Sequence, residues 1–149
     1  MKNFCESRMN KFQIIFHHLF KLHRALFISL ISDIELFPGQ IPILALLNKN
    51  DGCIQKEIGE NLRFKPASIT DSLKRMEKAS LIIRKQDEKD LRITRVYITD
   101  TGRQQLEKAI EISNRLEDIC FAGFTKEEKE MFISSMEKMS RNLDKEGVD

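Results

Sequence analysis

Cationic and hydroxyl side chains are concentrated in one stretch of the chain, between Arg63 and Arg95. This stretch contains ten basic and five acidic residues, a net charge of +5, whereas the rest of the 149-residue chain has 15 basic and 18 acidic residues, a net charge of −3. A basic surface on an otherwise acidic molecule is suited to neutralising phosphate groups. Solvated helices also carry basic faces, so charge alone leaves two interpretations open, nucleic-acid binding and an ordinary exposed surface.

A helix predicted to begin at Pro66 would present part of this charge in a regular pattern, because proline suits the first helical position. Its apolar residues recur at helical spacing, so we expect four positions to face inward: Ile69, Leu73, Met76 and Ser80. The outward side would then combine small, hydroxyl and cationic side chains: Ala67, Ser68, Thr70, Asp71, Lys74, Arg75 and Lys78. Small residues let a helix enter a major groove, hydroxyls can bond bases or phosphates, and cations neutralise the backbone.

The residues before Pro66 predict the helix that would support it. A helix is expected from Pro38 to Asn48, then a turn at 50–52, then a short helix from Ile54 to Leu62. Gly59 lies where a helix-turn-helix is expected to need a small residue, so that the next helix can cross closely. The sequence therefore predicts a helix-turn-helix that ends in the basic helix.

Two β-prone runs follow, Leu81 to Gln86 and Arg92 to Ile98, and a charged loop at 87–90 joins them as a hairpin tip. Arg92, just beyond the tip, could reach a minor groove, and Asp90 would hold its guanidinium when DNA is absent. Without the preceding helix-turn-helix, a solvated hairpin is the alternative interpretation.

Long apolar helices are predicted at both ends of the chain. The first, from about Arg8 to Ile31, has an apolar arc wider than one buried stripe requires, which favours a homodimer over a central core helix in a monomer. From Thr99 the chain is helical again, with an apolar side made of Leu106, Ala109, Ile110, Leu116 and Cys120. Thr125 and Glu128 form a capping box that opens the last helix. Its apolar row, with methionines interpreted as core filler, is Phe132, Met136, Met139 and Leu143.

Catalysis and metal binding have no support in the sequence. None of the motifs GxSxG, HExxH, GxGxxG or a Walker loop occurs, so we predict no enzyme and no cofactor. His17, His18 and His23 share no helical face, because no two of them are three or four residues apart, and we predict no metal site.

Cysteine usage and hydropathy indicate the compartment. Cys5, Cys53 and Cys120 resemble neither a disulfide framework nor a zinc ligand set, which favours a reduced, cytoplasmic setting. The longest uncharged run near the N-terminus, Ala25 to Ser32, is far below the roughly twenty residues needed to span a bilayer, so no membrane partner is expected. Because no linker divides the chain, residues 1–149 are expected to form one domain.

The runs FPGQIPILALL, DGCIQKEIGENL, KPASITDSLKRMEKASLI and RKQDEKDLRITRVYITDTG resemble the MarR family of bacterial transcription regulators, over about residues 8–144. The most specific part is a DxxDxR wing signature, made by Asp87, Asp90 and Arg92. It is followed by a TxxG pair, Thr99 and Gly102, that opens the next helix.

The resemblance implies a mainly α fold with a small β-hairpin wing. A winged helix-turn-helix would occupy about residues 38–98, and helices at about 8–31 and 100–144 would intertwine in a homodimer. Such a dimer would bind a pseudo-palindromic operator in double-stranded DNA, probing both grooves, and would act as a repressor. A small anionic or phenolic effector, or cysteine oxidation as in some members, would release it. Thiol sensing through Cys5 or Cys120 is a separate hypothesis, and the alternative is that these cysteines are small buried hydrophobic residues. The predicted DNA contacts are Lys65, Ser68, Thr70, Lys74, Arg75, Lys89, Arg92 and Arg95, with Asp90 paired to Arg92. The alternative is an adaptor that keeps the winged fold for ligand sensing or protein contacts.

Two residues depart from the family pattern. Ser80 occupies the place of a usual glycine, so it is expected to adopt a positive φ at a cost of about 1 kcal/mol. Ile54 replaces a threonine that usually caps the first helix of the motif, a loss of roughly 1 kcal/mol, which would shift capping to the backbone of residues 52–53 or to water.

Overall fold

The computed structural model describes residues 10–147, in which long helices come first and last along the chain and a short sheet lies between them in sequence. The elements are α1 (Lys11–Ile31), a 3-10 turn (Pro38–Gln40), α2 (Ile41–Lys49), β1 (Cys53–Ile54), α3 (Gln55–Leu62), α4 (Pro66–Lys78), β2 (Ile82–Gln86), β3 (Thr94–Ile98), α5 (Asp100–Cys120) and α6 (Lys126–Asp144). The mainly α fold with a small hairpin wing is thereby confirmed. Arg8, where the first helix was expected to begin, and Cys5 lie outside the described residues.

The sheet has the strand order β1-β3-β2, and both pairings are antiparallel. In the hairpin Ile83 pairs with Tyr97, and on the other edge Cys53 pairs with Val96. The sequence does not predict β1, because two residues are too few to show the alternation by which a strand is recognised. This short strand joins the wing to the start of α3.

The core forms where α2, α3, α4 and the hairpin meet. Its fully buried side chains are Ile43, Leu44, Leu47, Ile58, Ile69, Leu73, Met76, Leu81, Ile82 and Val96. The inward face predicted for α4 is therefore confirmed at Ile69, Leu73 and Met76. It is wrong at Ser80, which is exposed, because α4 ends at Lys78 and the chain has already left the helix.

Ser80 ends α4 in a left-handed conformation, with φ of 56°, as its place in the family pattern predicts. The Ser80 N–H donates to the Glu77 carbonyl at 3.0 Å and the Leu81 N–H to the Met76 carbonyl at 2.9 Å. This pair of bonds is the Schellman termination, in which glycine is the usual left-handed residue. Leu81 then enters the core beside Met76.

The start of α5 is built on the same turn. The Thr99 hydroxyl donates to the Ser80 carbonyl at 2.7 Å and accepts from the Gly102 N–H at 3.0 Å. A Cβ at Gly102 would lie 2.2 Å from the Leu81 carbonyl oxygen, so only glycine fits there. The TxxG pair thus seats α5 directly on the backbone that follows α4.

Two other local expectations concern α3. A Cβ at Gly59 would lie 3.6 Å from the Phe64 carbonyl oxygen and 3.8 Å from Ile69, which is ordinary contact, so alanine, another small residue, would also fit there. Ile54 is the N-cap of α3 and makes no side-chain cap bond, as expected. Its N–H is bonded within the protein, because it donates to the Glu57 carboxylate at 2.9 Å.

The chain divides into two compact units between Leu116 and Glu117. In the second unit the predicted capping box is confirmed: the Glu128 N–H donates to the Thr125 hydroxyl at 3.2 Å, and the Thr125 N–H donates to the Glu128 carboxylate at 2.8 Å. The Phe121 ring contacts two other phenylalanines edge-on, Phe124 at 5.4 Å and Phe132 at 5.8 Å between centroids.

Large apolar side chains remain exposed on the terminal helices. In α1 the exposed ones are Phe12, Ile15, Phe16, Leu19, Phe20, Leu22 and Ile28, and only Ile31 is buried. Among the described side chains of α6 none is buried. Phe132, Met136 and Leu143 are exposed and Met139 is half-buried, so the interpretation of the methionines as filler of the chain's own core is wrong.

By length and composition alone, α1 could also cross a membrane, since an 18-residue window within its 21 residues reaches a mean hydropathy of 1.4. The expectation based on uncharged runs misses this, because isolated cations interrupt a run without greatly lowering the average. Lys21 is the middle residue of α1 and Arg24 follows one turn later, so a spanning helix would place both near the bilayer centre, where charge is costly. These two cations favour protein over lipid as the cover of the α1 apolar face.

Candidate nucleic-acid interface

The exposed face of α4 carries most of the predicted contacts. Lys65 is the N-cap residue, and the exposed side chains beyond it are Ala67, Ser68, Asp71, Lys74, Arg75 and Lys78. The opposite face of α4 is buried in the core, and the face that carries the cations is therefore directed to solvent. Of the predicted contacts on α4, the structure therefore places Lys65, Ser68, Lys74 and Arg75 at the surface together.

Thr70 is used differently from the prediction. Its hydroxyl donates to the Pro66 carbonyl at 2.9 Å and accepts from the Gln55 side-chain amide at 2.7 Å. The side chain is half-buried between α3 and α4. This hydroxyl already has a donor and an acceptor partner in the protein and joins the two helices of the motif, so the DNA contact predicted at Thr70 stays a prediction.

The tip of the wing is a turn organised by Asp87. One carboxylate oxygen accepts from the backbone N–H groups of Lys89 and Asp90, at 2.8 and 3.0 Å, and the other binds the Arg95 guanidinium. The Arg95 guanidinium, followed by these two N–H groups, lowers the pKa of the Asp87 carboxyl below its ordinary value. The Asp87 carboxylate thus fixes the tip as a charged group.

Arg92 projects from this turn with 90% of its side chain exposed. Its guanidinium donates from Nε and Nη2 to the two oxygens of Asp90, at 2.9 Å each. These bonds lower the pKa of Asp90 and raise that of Arg92. Asp90 therefore aims an exposed cation, which is the arrangement expected of a minor-groove reader before DNA arrives.

Arg95 points back into the protein, contrary to the predicted DNA contact. Its Nε binds Asp87 and its Nη1 donates to the Gly52 carbonyl at 3.0 Å, which is 43 residues away along the chain. Arg84, another of the ten cations, pairs with Glu77 at 3.0 Å and is also half-buried. The cationic surface is thus smaller than the sequence count of charges implies.

The outer face of the hairpin carries two residues, Lys85 and Tyr97, that were not predicted as contacts. Lys85 lies over the Tyr97 ring at 5.8 Å, and the predicted contact Lys89 is exposed on the same hairpin. A shallow concavity of about 390 Å³ is lined by Lys85, Gln86, Asp87, Glu88, Lys89, Arg95 and Tyr97. The alternation along β3, which puts Arg95 and Tyr97 on one side, is the sequence signal that could have identified it.

A second polar cluster ties α5 to the helix-turn-helix. The Asp51 carboxylate accepts from the Ile98 N–H at 2.9 Å and from Arg103 at 3.1 Å, and Arg103 also donates to Asn48 at 2.6 Å. The sequence identified residues 50–52 only as a turn, because the partners of Asp51 lie about fifty residues further along the chain. This cluster positions elements and contributes no exposed cation to the α4 face.

The described cysteines, Cys53 and Cys120, and the three histidines are not among the residues of the α4 face. Cys53 is half-buried and donates to the Asn50 carbonyl at 3.0 Å; burial, then Glu57 and Asp51, raise the pKa of its thiol. Cys120 is exposed at the end of α5. Within residues 10–147, no three or more His, Cys, Asp and Glu side chains are grouped as metal ligands, and the three histidines are exposed on α1.

Comparison with known proteins matches the helix-turn-helix and wing to one family. The sequence model of the MarR family matches residues 36–94. The chain is similar to the HTH-type transcriptional repressor IacR of Pseudomonas putida, with 28% identity over 115 residues that cover 77% of this chain and 69% of the relative.

Two solved structures share the fold. The MarR protein of Peptoclostridium difficile is 28% identical, with a TM-score of 0.74 and coverage of 96% of this chain and 93% of that one. The Bordetella bronchiseptica protein BpsR, described with regulation of its DNA binding by 6-hydroxynicotinic acid, is 20% identical, with a TM-score of 0.75 and coverage of 98% and 99%. The matched segment contains α3, α4 and the Asp90–Arg92 wing tip, and residues 36–94 accordingly carry the sequence pattern of the MarR family of transcriptional regulators.

Proposed function

We propose that this transcriptional regulator is a dimeric repressor that binds a pseudo-palindromic operator through α4 and the wing, and that a small effector releases it. The observation that carries the proposal is the shared exposure of the α4 cationic face and of Arg92, which Asp90 holds in an extended position. One element suits a major groove and the other the adjacent minor groove.

The contacts are assigned by exposure and chemistry. Ser68 lies in the first turn of α4, where its hydroxyl suits a base edge, and Arg75 lies two turns further along. Lys65, Lys74 and Lys89 are exposed cations suited to phosphates. Arg92 is the minor-groove reader. Thr70 and Arg95 are not proposed as contacts.

Dimerisation is supported by the exposed apolar side chains of α1 and α6. Exposed phenylalanine and leucine side chains in this number are unusual for a free monomer, and a second copy of the chain would remove them from water. A dimer also fits a two-fold operator, because two α4 helices would meet successive half-sites. We expect the dimer to act in the cytoplasm, where it would reach DNA.

Repression and effector control rest on the relatives. IacR is named a repressor, and DNA binding by BpsR is regulated by a heteroaromatic carboxylic acid. A small anionic or phenolic aromatic compound is accordingly the effector class proposed for this chain.

An adaptor without specific DNA binding is the second candidate, because Asp71 puts a negative charge on the exposed face of α4. Fluorescence anisotropy with DNA from upstream of the protein's own gene separates the two. A repressor binds it with a steep salt dependence and prefers it to a scrambled duplex of equal length. Binding to neither duplex would rule out the repressor and leave the adaptor.

A further inference from the structure

The wing and the recognition helix are connected by a continuous set of polar contacts through β1. We propose that Arg95 and Gln55 are positioning residues that hold the wing and α4 in the arrangement needed for DNA, by clamping the two ends of the segment from Gly52 to Gln55. The inference rests on the proposed function, because the arrangement matters only if both elements meet one duplex.

Arg95 clamps the first end. Its guanidinium joins the Asp87 carboxylate, which organises the wing tip, to the Gly52 carbonyl, and the Asp87 side chain is only 13% exposed. Gly52 is also held by its N–H, which donates to the Val96 carbonyl at 3.0 Å. At Gly52 φ is +79°, a conformation that favours glycine, and a Cβ would lie 3.0 Å from the Tyr97 ring. Both the backbone conformation and the Tyr97 ring therefore disfavour a side chain at this position.

β1 carries this constraint to α3. Its two residues pair with β3 at Val96 and Arg95, and the very next residue, Gln55, begins α3. The distance along the chain from the clamped Gly52 to Gln55 is therefore only three residues, all of them in or beside the sheet. A shift of the hairpin would displace the first turn of α3.

Gln55 clamps the second end. Its amide donates to the Thr70 hydroxyl at 2.7 Å, and Thr70 donates to the carbonyl of Pro66, the first residue of α4. The bond thus reaches the end of α4 that is proposed to enter the groove. Apolar packing between α3 and α4 is non-directional, whereas a hydrogen bond restrains both distance and angle.

Replacing the Arg95 guanidinium by a lysine ammonium distinguishes a positioning role for this residue from a contact with phosphate. A guanidinium can bind two separate acceptors at fixed angles, and a lysine ammonium keeps the charge without that fork. If Arg95 is a positioning residue, Arg95→Lys should fail almost as badly as Arg95→Ala. If it contacts phosphate, the lysine variant should retain most of the affinity.

The test measures Kd for the protein's own upstream DNA at several salt concentrations, for wild type, Arg95→Lys, Arg95→Ala and Lys89→Ala. Both Arg95 variants are expected to bind about tenfold more weakly with an unchanged slope of log Kd against log salt. Lys89→Ala, the matched loss of an exposed wing cation, should reduce the slope by about one. Wild-type affinity in Arg95→Lys, or a slope reduced by about one in Arg95→Ala, would overturn the proposal.

The second end is tested by Gln55→Ala, which removes the bond to Thr70 at a half-exposed position. We expect it to weaken binding by about threefold to tenfold. Because both residues act on one segment, the double variant Gln55→Ala with Arg95→Lys should bind better than the product of the single effects implies. A strictly multiplicative result would contradict the shared role.

A measurement without DNA separates this proposal from the proposed function. Amide hydrogen exchange of Gly52 and Asp90 in the free protein should be about tenfold faster in Arg95→Lys than in wild type, while exchange in the core of α4 is unchanged. Unchanged exchange at both amides would overturn the clamp even if wild type binds DNA. If the wild-type protein binds no DNA, the operator proposal is refuted. The exchange data would still show whether Arg95 holds Gly52 and the wing tip in place.

Discussion

Asp90 binds the Arg92 guanidinium through both of its carboxylate oxygens, at 2.9 Å each, at the tip of a turn that Asp87 stabilises. Arg92→Ala is expected to weaken operator binding by about tenfold to a hundredfold, because the exposed cation that Asp90 orients at the wing tip would be lost. Asp90→Asn should have a smaller effect, since the arginine stays but loses its orientation. Anisotropy titrations at fixed salt measure both. Lys108→Ala, which removes an exposed cation from α5, serves as the control and should bind like wild type.

The wing should lose stability in acid but not near neutral pH. The pKa values of Asp87 and Asp90 are lowered in the folded protein, chiefly by Arg95 and Arg92 respectively. A group whose folded pKa is depressed contributes stability that is fully present above its unfolded pKa and is lost as pH falls through the folded value. The contribution should thus be intact above about pH 5 and should decline below about pH 4. Urea midpoints measured across this range should show a shallower acid decline in Asp87→Asn than in wild type.

Ser80 is a site where glycine should stabilise the protein. Its φ of 56° costs a side-chain-bearing residue energy that glycine avoids, although glycine also loses more entropy on folding. Ser80→Gly should therefore raise the free energy of unfolding by about 0.5 to 1 kcal/mol, measured by urea denaturation. Ser80→Ala, which keeps the Cβ, is the matched control and should show no gain.

Gly102→Ala should have the opposite effect. The added methyl would meet the Leu81 carbonyl oxygen at 2.2 Å and Ile98 at 2.9 Å, so the start of α5 would have to move off the turn. A loss of about 1 to 3 kcal/mol is expected from overpacking of this kind. Gly59→Ala tests the same logic at an unhindered site and should be neutral or stabilising, because alanine is the better helix former. Equal destabilisation by both variants would contradict the steric assignment.

The exposed phenylalanines of α1 should decide the oligomeric state. Phe20 is 60% exposed, so Phe20→Glu should leave the folded chain intact while burying a charge in any dimer interface that covers it. Sedimentation velocity is expected to show dimer for wild type and monomer for the variant, with a parallel loss of operator affinity. Phe37→Glu makes the same change at a 66% exposed phenylalanine outside α1 and should remain dimeric.

Periodicity and motif order predicted much of this architecture, and contacts between distant residues account for what they missed. Ile69, Leu73 and Met76 were predicted to be buried because helical spacing is local information. Thr70 and Arg95 were assigned to DNA because their types suit it, yet Gln55 lies fifteen residues from the first and Gly52 forty-three from the second. Only the folded structure shows that Thr70 and Arg95 are hydrogen-bonded to these partners within the protein.

The first turn of α5 packs on the backbone of Ser80 and Leu81, and this contact has a consequence for how an effector would release the DNA. Because Thr99 and Gly102 lock the first turn of α5 to the backbone that terminates α4, the two helices share one pivot. A helix of 21 residues is roughly 30 Å long, so a rotation of roughly 10° about that pivot sweeps its far end through about 5 Å. Read in reverse, a modest displacement at the far end of α5 becomes a small, rigid rotation of α4. In the proposed repressor, such a rotation would move α4 out of register with its half-site while every hydrogen bond within that helix stays closed.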